Sequence, residues 1–166
     1  MSPALYRRAF LFALGSMPLV PGSVSAKAVI DLGWADLLPE GQVMIPPALQ
    51  DFIQHDGPDL SRQQPPSTGV RTDWNGETVR LPGFMVPIDF SGTGVTAFIL
   101  VPYVGACVHV PPPPANQLVF VTTKTPYESA GLFEAVSVVG LFGTTALSTE
   151  VADVAYALAA DQIAPF

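Results

Sequence analysis

The spacing of apolar positions changes character along the chain, and each change marks a different kind of segment. Ala9 to Val20 is an apolar run broken only by Gly15, Ser16 and Pro18. From Lys27 to Thr72 the texture is irregular. Trp34, Leu37 and Leu38 have helical spacing but end at Pro39, and Pro46-Pro47 is a stop. Ala48 to His55 fits two helical turns before Gly57-Pro58, and Gln63 to Gly69, carrying Pro65 and Pro66, reads as a loop.

Beyond Arg71 the pattern is that of strands. Glu77 to Ile88 carries Val79, Leu81, Phe84, Val86 and Ile88, interrupted by Pro82-Gly83, which predicts a bulge or sharp bend in one long strand. Ser91 to Gly94 is a turn, and Val95 to Val101 is a second strand rich in β-branched and aromatic residues. Pro111 to Pro114 cannot join a ladder and forms a stiff extended segment. Gln117 to Thr123 and Glu134 to Phe142 are further strands, the latter with a bend at Gly140. Thr149 to Ile163 has the composition of a helix capped by Ser148. It also alternates at Tyr156, Leu158, Ala160 and Gln162, which favours a closing strand from about Val154. The expected fold is mainly β: a small five-stranded, partly open barrel of the oligonucleotide/oligosaccharide-binding type. An irregular, partly helical N-terminal arm precedes it. The expected boundaries are 1–26 for a cleavable signal peptide, 27–72 for the arm or linker and 73–166 for the barrel, with no internal repeat.

The signal peptide is read from Arg7 and Arg8 ahead of the apolar run, and from small residues at Val24-Ser25-Ala26, where a signal peptidase would cut. The run is too short for a permanent membrane span. Arg7-Arg8-Ala9-Phe10-Leu11 resembles a twin-arginine export signal, and an ordinary secretory signal is the alternative. A lipid anchor needs a cysteine at the cleavage point, and the single cysteine is Cys107. The expected mature protein is therefore periplasmic or secreted, with no stable membrane anchor. Cleavage leaves five basic residues against all 14 acidic ones, a charge of −9 that argues against nucleic acid as a partner. One cysteine makes no internal disulfide, so stability must come from the core, a partner or a bound ion.

Chemistry concentrates between Tyr103 and Gln117. Side chains two apart on an extended strand share a face, so Cys107 and His109 project together if this piece is extended. Thiolate and imidazole side by side form half of a tetrahedral zinc site, or a nucleophile with its base. A buried small apolar cysteine beside a hydrogen-bonded rim histidine is the plainer reading. Tyr103, Asn116 and Gln117 are candidates for polar contacts that orient the ligands, and His55, near Asp51, Asp56 and Asp59, for a third ligand. No phosphate-binding glycine loop, nucleophile elbow, zinc-protease helix or Cys-x-x-Cys pair is present.

The blocks from Trp74 to Pro87 and from Leu100 to Gln117 resemble those of a bacterial exported family catalogued as domain of unknown function 3299. The resemblance runs from about Trp74 to the C-terminus. It implies an accessory role in metal handling, since some members are similar to components of zinc-regulated operons with ABC-type permeases. The leading expectation is thus a soluble exported accessory protein, more a binder than an enzyme. It would hold zinc or another transition metal through Cys107 and His109 and assist a membrane transport component. The alternatives are a Cys-His thiol enzyme, and an interaction module that docks through Pro111 to Pro114.

Overall fold

The structure, a computed structural model, describes residues 28–44, 64–106 and 112–166. Six strands follow one another: β1 (Ile30–Asp31), β2 (Thr78–Ser91), β3 (Gly94–Val101), β4 (Val119–Tyr127), β5 (Ala135–Ser148) and β6 (Asp153–Pro165). They pair in the order β1-β2-β3-β4-β6-β5, and β5 returns to β2. Strands β2 to β6 therefore close a five-stranded barrel, with β1 added in parallel on β2. The strand count agrees with the sequence, and β6 confirms the closing strand expected from about Val154.

The barrel is closed rather than partly open, and the cause is the length and bend of β2. Thr78 to Phe84 pair with β5, whereas Phe84 to Ser91 pair with β3, so one bent strand serves two neighbours. The change of partner falls at the Pro82-Gly83 interruption. A Cβ at Gly83 would lie 2.8 Å from Leu100 Cγ, 2.9 Å from Trp34 Cζ2 and 2.9 Å from the Val101 carbonyl oxygen. Only glycine lets the strands cross this closely. Trp34 seals the corner, donating its indole N–H to the Pro82 carbonyl at 2.8 Å. Gly140 is a second corner, at a register shift between β5 and β6, where an added Cβ would strike the Ala159 backbone. The turn from β2 to β3 has Gly92 at φ 63°, as a tight hairpin requires.

The partly helical arm expected over 27–72 is not supported by the described residues of that range. Among the described residues it contributes β1 and a single 3-10 turn, Trp34–Leu37. Pro39 prevents a longer helix. Burial then draws the segment into the barrel: Leu32 and Leu37 join the core around Val79, Leu81, Phe98, Val138 and Tyr156. Ala48 to His55 lies outside the described residues.

Alternation along the strands produces two apolar layers. Phe98 and Leu100 of β3 point into the barrel with Val119, Val121, Val136 and Leu158. Ile99 and Val101 point outward, where Val86, Ala106, Leu118, Ala152 and Val154 bury them. Strand β3 is thus covered on both faces, which explains the apolar run from Ala97 to Val101. Tyr156 is fully buried in the inner layer, stacked on Phe142 with ring centroids 5.2 Å apart. Its hydroxyl donates to the Leu37 carbonyl at 2.8 Å and accepts from Arg71 N–H at 2.7 Å. Burial raises its pKa, keeping the phenol in the form that donates.

The corner at Gly83 yields a stability prediction. Gly83→Ala should cost about 1–3 kcal/mol by overpacking a site with no space for a methyl group. Denaturant unfolding checks this, and a wild-type midpoint would mean that the corner is looser than described.

Candidate functional site

The segment singled out by the sequence leaves the barrel at the end of β3 and returns at β4. Cys107 and His109 lie outside the described residues, as do Val108, Val110, Pro111 and the third-ligand candidate His55. What the structure gives is the frame around that segment. Ala106, fully buried, precedes it, and Pro112 and Pro113, also buried, follow it. Pro114 has φ −51° and ψ 149°, close to polyproline geometry, and leads into a 3-10 turn, Ala115–Gln117. The extended geometry expected of the proline run is seen at Pro114, and Pro111 lies outside the described residues.

Two loops pin this frame. The Gln64 amide N–H donates to the Pro113 carbonyl and to the Asp153 carbonyl, both at 2.8 Å, while its oxygen accepts from Asp153 N–H at 2.8 Å. Asn116 Nδ2 donates to the Gly69 carbonyl at 2.8 Å. Gln117 Nε2 donates to the carbonyls of Trp34 and Asn116, each at 3.1 Å. The side-chain oxygens of Asn116 and Gln117 are different. Asn116 is 1 % exposed and Gln117 3 %, yet neither Oδ1 nor Oε1 has a hydrogen-bond partner. Buried polar atoms are nearly always paired, so two such oxygens on adjacent residues need a physical explanation.

Of the sequence candidates, Tyr103, Asn116 and Gln117 lie among the described residues. Tyr103 is half-buried against the outer layer with Val101 and Leu118. Among the described residues no group of three His, Cys, Asp or Glu side chains is placed to hold a metal ion. Within the proline run considered for docking, Pro112 and Pro113 are buried and Pro114 is partly exposed. Sequence reasoning missed Gln64 and Trp34, whose partners are 48 or more positions away and which carry no local signal.

A second polar cluster centres on Glu134, whose backbone carbonyl accepts from Met85 N–H of β2 at 2.9 Å. Glu134 accepts from the Tyr127 hydroxyl at 2.8 Å, and from the Ser129 hydroxyl and Ala130 N–H at 2.7 Å each. Burial alone would raise the carboxyl's pKa, but the bonds from Ser129, Tyr127 and Ala130 outweigh it and hold it below the usual value. Burial and that carboxylate push the Tyr127 phenol up to about 12. A shallow cleft of about 350 Å³ opens beside this cluster, between Pro87, Phe90, Thr93 and Leu132. Phe133, with φ 60°, bonds its N–H to the Met85 carbonyl at 2.8 Å and ties the turn to β2. With its oxygens occupied, Glu134 organises the turn rather than a reaction.

With the fold and the frame described, comparison with known proteins places the chain. The family described as "Protein of unknown function (DUF3299)" matches residues 34–165. The chain belongs to that family. It is similar to a DUF3299 family protein from Pseudomonas aeruginosa PAO1, known from a crystal structure, at 36 % identity and a TM-score of 0.71. The match covers 84 % of this chain and 97 % of the other. No curated protein matches. The family resemblance read from the sequence is thus established, and it reaches further toward the N-terminus than the motif blocks did, to Trp34 rather than Trp74.

The Glu134 cluster gives a pH prediction. A carboxyl whose pKa is lowered by folding stabilises the protein fully above its unfolded value and loses that contribution as pH falls through the folded one. Glu134→Gln should therefore be less stable than wild type at neutral pH, by on the order of 1 kcal/mol after solvent screening. The gap should shrink as pH falls through and below the ordinary glutamate range. Thermal unfolding of both proteins down to about pH 3 tests this, and a gap independent of pH would remove the charge from the account.

Proposed function

We propose that this family member is a soluble exported accessory protein that binds a transition metal ion, zinc foremost, and serves a metal-linked ABC-type transport system. Its ligands are the Cys107 thiolate and a neutral ring nitrogen of His109. Two protein ligands leave room in a tetrahedral shell for a water, a carboxylate or a group from a partner. His55 is the candidate for a third protein ligand. Export through the signal at 1–26 puts the protein in the periplasm or outside the cell.

The observation that carries the reading is the pair of buried, unpartnered amide oxygens on Asn116 and Gln117, directly after the segment that holds Cys107 and His109. Acceptors of this kind support metal centres by orienting ligand N–H groups and bound water. The frame supports the same reading. Gln64 and the buried Pro112 and Pro113 fix the return of the chain, so the segment departs from and arrives at defined points. Bound metal would supply Lewis acidity and charge at this place, and the chain's own residues would hold and orient it.

Both ligands must be deprotonated to bind, so metal affinity falls as pH is lowered. Protein purified from its native export compartment should carry about one equivalent of metal, read by elemental mass spectrometry, and release it in mild acid. The double variant Cys107→Ala/His109→Ala should carry none. Full metal in the double variant would end the proposal.

A further inference from the structure

We infer that Asn75-Gly76 is a self-modification site, at which the Asn75 amide is lost as ammonia once the clamp that holds it opens. The clamp lies where β5 closes onto β2. The ladder between those strands ends at Thr78 and Leu141. Phe142 carries the pairing one step further: its N–H donates to the Glu77 carbonyl and its carbonyl accepts from Gly76 N–H, both at 2.9 Å. There the backbone turns away, with Gly76 at φ 77°, and the Asn75 side chain takes its place. Its Oδ1 accepts from Thr144 N–H at 2.8 Å, and its Nδ2 donates to the Thr144 hydroxyl oxygen at 3.1 Å. Asn75 and Gly76 are both exposed to water.

The reaction needs only water. The Gly76 nitrogen loses its proton and attacks Asn75 Cγ, closing a cyclic imide. The Cγ–Nδ2 bond breaks, and the amide nitrogen takes up the proton and leaves as ammonia. Water then opens the imide at either of its carbonyls. Opening at Cγ gives aspartate, and opening at the backbone carbonyl of residue 75 gives isoaspartate, whose chain runs through the side chain. Glycine, having no Cβ, leaves the attacking nitrogen unhindered. The folded protein engages both reacting groups elsewhere. The Gly76 N–H is spent on Phe142, and Asn75 Cγ is fixed by the two bonds to Thr144. The reaction therefore runs through molecules in which this end of the seam has opened locally. In the isoaspartate product the backbone is one methylene longer and the carboxylate arm one methylene shorter. The group that held Thr144 is thereby withdrawn, and the opening becomes permanent.

The test incubates the purified protein at mildly alkaline pH, folded and in denaturant, and maps amide loss and isoaspartate by peptide mass spectrometry. The other asparagine of the chain, Asn116, is buried and followed by Gln117, and serves as the internal reference. In denaturant Asn75 should convert much faster than Asn116. Folded protein should convert Asn75 about tenfold more slowly than denatured protein, or slower still. Thr144→Val removes the hydroxyl acceptor and keeps the backbone N–H. It should speed conversion in the folded state about fivefold, the worth of one hydrogen bond, and leave the rate in denaturant unchanged. Thr144→Ser keeps the acceptor and should match wild type. Equal rates in folded and denatured wild type would overturn the inference, as would a folded Thr144→Val protein that converts no faster than wild type. Should Thr144→Val fail to fold, the wild-type comparison decides alone. Equal conversion of Asn75 and Asn116 in denaturant would overturn it too, because Gly76 would then confer no reactivity.

Discussion

The architecture turns on the contact between Trp34 and the Pro82-Gly83 corner of β2. A barrel of five strands can close only if one strand reaches neighbours on both sides, and β2 does so by bending where its side chains vanish. The Pro82 carbonyl accepts the Trp34 indole N–H, and glycine at 83 leaves a hollow that the same ring fills. One side chain from outside the barrel therefore supplies both the hydrogen bond and the packing that a bent strand lacks. The closure of β5 onto β2, and with it the enclosure of the inner core, follows from that corner.

The same residue links the fold to the candidate site. The backbone carbonyl of Trp34 receives the Gln117 amide, so the corner that shapes β2 also orients one of the two unpartnered oxygens. The outer apolar layer contributes as well. Leu118, Ala106 and Val101 anchor the beginning and end of the excursion between β3 and β4 on the barrel wall.

Much of the fold was legible because β strands with one buried face write their period into the sequence. The alternation at Val79, Leu81, Tyr156 and Leu158 located β2 and β6, and Pro82-Gly83 and Gly140 marked true corners. Closure was not legible, because pairing between β2 and β5 depends on register across more than fifty positions. The arm misled for a related reason. Trp34, Leu37 and Leu38 have helical spacing, but their burial comes from contacts with the barrel, and those contacts need only one 3-10 turn. At the candidate site the residue types could be named from the chain alone. The unmatched oxygens of Asn116 and Gln117 could not, since satisfaction of a hydrogen bond is a property of the folded surroundings.

The Gln64 side chain has a consequence for how the molecule behaves among its own copies. Strand β6 begins at Asp153, whereas its parallel neighbour β4 first meets it at Tyr156, so the start of β6 extends beyond β4 as a short bare margin. Such margins recruit strands from other chains and seed aggregation. Gln64 occupies both the N–H and the carbonyl of Asp153 with its amide, imitating the rung a neighbouring strand would supply. A single side chain thus acts as the missing end of a strand and leaves a foreign one nothing to extend at Asp153.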